Sequence, residues 1–137
     1  MASNFVMDIV TPEKSVLTNE EVYVVVIPAG TGYLSAMTGH IPLLTILKPG
    51  IVEFLGKKRS SHFFVSGGFV EVLPEKVTVI AEKVETIEEM DVEKVKSLKK
   101  DVEEKLKSAS SSDKDVFIEY EEATSKLYLL EKHHLVL

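Results

Sequence analysis

The residues able to do chemistry are few and scattered. Gly30-Thr31-Gly32 has the glycine spacing that lets backbone N–H groups approach a phosphate. No Lys-Ser or Lys-Thr follows it and no helical period opens behind it, so the pair reads as a turn. His40 could act as a base or ligand only beside a second histidine, a carboxylate or a serine at a matching spacing. None stands there, and His40 reads as a residue that sets a corner or touches a neighbouring subunit. His133-His134 are of the type that binds zinc, but adjacent helical positions point roughly 100° apart and no partner pair is spaced to complete a site. They read as a frayed terminus. Glu119, Glu121 and Glu122 form a solvated helical face rather than an acid–base pair, and Lys57-Lys58-Arg59, the one basic cluster, reads as a hairpin tip beside Gly56. No catalytic, metal or cofactor site emerges.

The elements that would have to position such residues point the same way. The chain of 137 residues suits one compact domain or a domain with a small appendage. Its 45% hydrophobic and 28% charged residues are a globular balance that excludes disorder. A net charge of −6 disfavours nucleic acid and anionic membrane surfaces. There are no cysteines, so disulfides and thiolate metal sites are excluded. No apolar run reaches the ~18 residues that span a bilayer, and Met1-Ala2-Ser3-Asn4 lacks the charged and apolar regions of a signal peptide. These features predict a cytosolic protein that meets a membrane only through a partner.

Short branched and aromatic runs, separated by turn residues, fill the first two thirds of the chain. Phe5 to Val10 stops at Thr11-Pro12, Lys14 to Leu17 follows, and Glu21 to Ile27 is the strongest strand signal, ended by Pro28-Ala29-Gly30. From Gly30 to Gly50, Gly30 and Gly32, Gly39-His40, Pro42 and Pro49-Gly50 punctuate the extended pieces Tyr33–Met37 and Leu43–Leu47. Ile51–Leu55, His62–Val65, Phe69–Val72 and Lys76–Ala81 complete the set. Ser66-Gly67-Gly68 inside this run predicts a bulge or a close backbone crossing. Short strands at regular intervals indicate an antiparallel sandwich or flattened barrel.

The period then changes. Asp91 is a candidate N-cap, and Val92, Val95, Leu98, Val102 and Leu106 share one helical face. Ser108 to Ser112 breaks the helix, and Asp113 or Asp115 can cap a second one. Its apolar residues Val116, Tyr120, Ala123, Leu127 and Leu130 form a narrow seam suited to antiparallel packing on the first helix. Thin seams on a hairpin this small make its docking marginal and switchable.

Three stretches then carry a resemblance. "GHIPLLTILKPG" (Gly39 to Gly50), "VSGGFVEV" (Val65 to Val72) and "KVTVIAE" (Lys76 to Glu82), with "MDIVTPEKSV" (Met7 to Val16) before them, resemble the epsilon subunit of bacterial F-type ATP synthases over nearly the whole chain. The resemblance implies an N-terminal antiparallel β-sandwich of about ten short strands over residues 1–88. A C-terminal antiparallel two-helix hairpin would follow over 89–137. It implies a non-catalytic rotor subunit of the central stalk, coupling gamma to the c-ring in proton- or sodium-driven ATP synthesis. It also implies helices that extend along gamma toward the alpha and beta subunits and hinder ATP hydrolysis. Such a protein would sit peripherally on the cytoplasmic face of the bacterial plasma membrane. The ring-facing edge would carry Tyr33, Leu34, Thr38, His40, Ile41 and Pro42.

The chain departs from the family pattern at three places. Tyr33 stands where many relatives have an acidic residue, so a contact there would be aromatic and hydrogen-bonding. The ATP motif of some relatives, Asp-x-x-Arg-Ala, is reduced to a remnant at Asp91 and Lys94, and lysine lacks the planar fork of arginine, which argues against bound ATP; no cofactor is expected. From Asp113 onward, Lys114, Lys126 and Lys132 face Asp113, Asp115, Glu119, Glu121, Glu122 and Glu131, so this helix would be repelled by an acidic loop on beta. From a different class, a free-standing sandwich with a helical lid over a small ligand would need an apolar cavity inside the sandwich. The bulky branched residues predict a filled core instead.

Overall fold

A computed structural model describes residues 5–108 and 114–136, with 132–136 as backbone. Seven strands are followed by two helices: β1 (Val6–Val10), β2 (Ser15–Ala29), β3 (Gly32–Met37), β4 (Leu43–Ile46), β5 (Gly50–Gly56), β6 (Ser60–Val72), β7 (Lys76–Glu85), α1 (Val92–Ser108) and α2 (Lys114–Val136). A 3-10 turn, Ile87–Glu89, lies between β7 and α1. The chain divides into two compact units, Met1–Val84 and Glu85–Leu137.

The β-then-α architecture agrees with the sequence reading, and the strand count differs for a physical reason. The pieces read separately at Lys14–Leu17 and Glu21–Ile27 are one strand, β2, that bends without stopping. Asn19 absorbs the bend at φ 49°, a left-handed conformation that asparagine tolerates. The first part of β2 pairs with β1 (Ile9↔Leu17), and the rest pairs with β3 and β5 (Val25↔Ala36, Val25↔Phe54). β6 likewise joins His62–Val65 to Phe69–Val72, pairing first with β5 and then with β4. Gly67 and Gly68 lie between the two, at φ 73° and 104°, and a Cβ on Gly68 would stand 1.9 Å from the Ile80 carbonyl oxygen. This is the close crossing that the paired glycines predict, because no side chain fits there.

The sheet runs β1-β7-β6-β5-β2-β3, with β4 on β6, and a β1–β2 pairing closes it. One pair departs from the antiparallel expectation. β1 and β7 run parallel from Val6↔Lys76 to Val10↔Ile80, an arrangement open to them because the whole intervening sandwich serves as the crossover. Inward residues alternate along each strand and meet in one core containing Phe5, Met7, Ile9, Val22, Val25, Ile27, Phe54, Val65, Val70 and Val77.

In the helical unit the Asp91 carboxylate accepts the Glu93 and Lys94 N–H groups at 3.0 and 3.3 Å, and so caps α1 as its residue type predicts. The Glu89 carboxylate accepts the Thr86 N–H at 3.2 Å. Val95 and Val102 of α1 and Ala123 and Leu130 of α2 are buried, in agreement with the predicted seams, but Leu98, placed on the same face of α1, is exposed. Leu129 is also fully buried, beside Leu130 and off the single line that the four-and-three spacing picked out. The break at Ala109–Ser112 and the alternative cap Asp113 fall outside the described residues, as do the His133 and His134 side chains.

Candidate functional site: an uncharged sheet edge

No Asp, Glu, Lys or Arg stands between Glu21 and Lys48, in a chain of which 28% is charged. The stretch holds the second half of β2, then β3, β4 and the corner that joins them. Among the described residues β3 pairs only with β2, and β4 pairs with β6 apart from one bridge, Ala29↔Leu47. Both strands with a single full partner therefore lie inside the charge-free stretch.

Alternation turns Tyr33, Ser35 and Met37 of β3 outward and Leu34 and Ala36 inward. Tyr33 is 60% exposed, yet its hydroxyl reaches over β2 to accept the Ile51 N–H at 3.1 Å. The ring is thus held in place with its surface open. Leu34, expected on the contact surface, instead packs half-buried against the core.

The corner from Thr38 to Pro42 is pinned from behind. The Gly39 N–H donates to the Pro74 carbonyl at 2.8 Å and the Thr38 hydroxyl donates to the same oxygen at 3.5 Å. The His40 N–H donates to Met37 O at 3.1 Å, and its ring Nδ1–H donates to Ile41 O at 2.6 Å. His40 therefore positions the corner. Ile41, 77% exposed, and Pro42 project at the apex.

Beyond the corner, Leu44 (68% exposed) and Ile46 face outward from β4, and Ile46 pairs with the exposed Phe69 of β6. Two glycines allow close approach beside these residues. A Cβ on Gly30 would lie 2.8 Å from Ile46 Cγ1, and one on Gly50 would lie 2.7 Å from both Pro28 Cβ and the Tyr33 hydroxyl. Leu44, Ile46 and Phe69 thus form an exposed apolar face across β4 and β6, and Tyr33 presents an exposed ring on β3. A contiguous apolar surface of this kind marks a contact site rather than scattered exposure.

Sequence reasoning picked out Tyr33, Thr38, His40, Ile41 and Pro42; the fold places the last four at one corner and Tyr33 at the far end of β3, beside Gly50 and Ile51. It missed Met37, Leu44, Ile46 and Phe69. The absence of charge after Glu21 would have pointed to the first three; Phe69 joins only through the β4–β6 register. Asp91 and Lys94 belong to the helical unit, at the start of α1. The Asp91 carboxylate is engaged in capping, and Lys94 is exposed. Arg59, at the predicted hairpin tip, donates through Nε and Nη2 to Glu20 Oε1 at 3.1 and 3.0 Å. The interior of the sandwich is occupied by the core. A concavity of about 380 Å³ lies on its outer side, lined by Val24, Val26, Glu53, Leu55 and His62 among others. Among the described residues no helix is long and apolar enough to cross a membrane.

The sequence profile of the ATP synthase, Delta/Epsilon chain, beta-sandwich domain matches residues 4–87. The chain belongs to the ATP synthase delta/epsilon chain family. It is an epsilon-type chain, a non-catalytic subunit of that enzyme, as the resemblance implied. The ATP synthase epsilon chain of Desulforapulum autotrophicum is 40% identical over 113 residues, 80% of this chain and 82% of that one. That of Pelagibacter ubique is 31% identical over 118 residues, 86% and 91% of the two chains. These alignments extend past the sandwich into the helical unit. The fold is also that of a chain in the cryo-EM structure of Euglena gracilis mitochondrial ATP synthase, OSCP/F1/c-ring. The TM-score is 0.75 at 23% identity, over 98% of this chain and 83% of the other.

Proposed function

We propose that this chain is a rotor subunit of the central stalk, whose sandwich joins gamma to the c-ring while its helical hairpin adjusts ATP hydrolysis. The observation that carries this reading is the charge-free edge. Its pinned corner, with Ile41 and Pro42 at the apex, meets the ring, and the apolar face of Leu44, Ile46 and Phe69 packs on gamma together with the exposed Tyr33 ring. An aromatic ring held by its own hydroxyl, as Tyr33 is, offers a rigid contact at little entropic cost.

The relatives' name places them in ATP synthase, which supports a peripheral position on the cytoplasmic face of the bacterial plasma membrane through the complex. Contact with alpha and beta arises only when the helices extend. The thin α1–α2 seam supports two dockings of similar free energy, and the acidic character of α2 favours a steric over a charge-based restraint on hydrolysis. Asp91 is occupied by its cap and Lys94 lacks arginine's fork, which supports a chain that works without ATP of its own.

Co-purification with gamma and the ring after mild detergent extraction tests the first part. Recovery of the chain only as a free monomer overturns it. Deleting residues 91–137 tests the second. The truncated chain still assembles and ATP hydrolysis by the complex rises; unchanged hydrolysis removes the regulatory role. A calorimetric titration with ATP showing sub-millimolar binding would overturn the nucleotide-free reading.

A further inference from the structure

Within the described residues, the free edge of β3 carries none of the charges, prolines or bulges that keep sheet edges apart. Gly32–Met37 contains no lysine, no other charge and no proline, its register against β2 is unbroken from Ala29↔Gly32 to Val24↔Met37, and it is six residues long. A strand left open in this way pairs with another chain unless a partner covers it. β4, the other strand with one full partner, is four residues long and follows directly on Pro42, so it is the weaker template.

We infer that β3 takes up an extended segment of a neighbouring stalk subunit as an added strand, so that the subunit contact is made in part by main-chain hydrogen bonds. This inference rests on the stalk reading above. The chemistry of the segment follows from what β3 presents. On the inner side Leu34 packs against the core but is only half-buried, so an apolar residue opposite it would finish covering the end of the core. On the outer side Tyr33 and Met37 are exposed on either side of Ser35, which favours apolar or hydroxyl-bearing residues there. With no charge between Glu21 and Lys48, nothing on this edge would compensate an incoming carboxylate or ammonium group. The segment is therefore extended, uncharged and rich in β-branched residues. A second copy of this chain fits less well, since each copy carries a net charge of −6.

Amide hydrogen exchange resolved by residue tests this, with the chain alone and in the assembled complex with gamma and the ring. In the complex, every second amide from Gly32 to Met37, those pointing away from β2, slows by at least about tenfold relative to the free chain. The alternating pattern separates strand addition from coverage by side chains, which slows exchange without a period of two. Stable assembly with unchanged β3 exchange overturns the added strand and leaves the stalk reading intact. Failure to assemble at all overturns the stalk reading itself. Concentration-dependent protection of the same amides in the free chain, with dimers in sedimentation, would show pairing between copies and overturn the inference.

Discussion

The Tyr33 hydroxyl accepts the Ile51 N–H across the width of β2, and it occupies the space that a side chain on Gly50 would need. One contact thus ties the edge strand to β5 and explains why the Pro49-Gly50 turn ends in glycine. Tyr33→Phe leaves the Ile51 N–H without its acceptor and costs about 1 kcal/mol. Gly50→Ala drives a methyl group against Pro28 and Tyr33 and costs about 2 kcal/mol. In the double variant the missing hydroxyl makes room, so its cost is less than the sum. Urea midpoints of the four proteins give the coupling directly.

Leu44→Asp and Ile41→Asp place a carboxylate on the apolar face and at the corner apex. Both residues are exposed, so folding stability stays within about 0.5 kcal/mol of the parent. Recovery with gamma and the ring nonetheless falls, because the partner surface would have to bury an unpaired charge. Circular dichroism and pull-down of each variant separate a lost contact from a lost fold.

Asp8 is a staple where β1, β2 and β7 meet. Its Oδ1 accepts the Asn19 N–H at 2.7 Å, and its Oδ2 lies 2.9 Å from Lys76 Nζ. Burial by itself would raise the carboxyl pKa, but the Asn19 N–H and the Lys76 ammonium outweigh it and hold the group below its ordinary 3.8. A lowered folded pKa stabilises the protein above the ordinary carboxylate value, and that contribution disappears as the pH falls through the folded value. Asp8→Asn therefore costs about 1 kcal/mol at neutral pH, allowing for a pair partly open to water. The gap between the urea midpoints of the variant and the parent closes toward zero in acid. A gap that persists unchanged as the pH is taken well below the ordinary 3.8 would assign the effect to packing rather than charge.

In the helical unit Lys126 donates to Glu85 at 3.2 Å, and its side chain is 14% exposed. Glu85 closes β7, so the pair ties α2 to the point where the unit begins. Glu85→Gln removes the charge that this sheltered ammonium faces and loosens the hairpin by about 1–2 kcal/mol. Faster amide exchange along α2, with exchange in β1–β6 unchanged, is the expected readout.

The sequence alone determined much of this molecule because its signals are local. β-branched runs between turn residues require strands, paired glycines inside such a run require a close crossing, and a three-and-four spacing behind Asp91 requires a capped helix. The continuity of β2 through Asn19 was not legible, because a bent strand and two short strands leave the same trace in composition. The parallel β1–β7 pair was equally hidden, since strand direction depends on which distant segments meet. Tyr33 and Ile41 could be named from the order of residues. That Tyr33 is held by Ile51, that Leu34 turns inward and that Phe69 joins Ile46 were decided only by the tertiary structure. These are matters of register, and register follows from how the strands share one core.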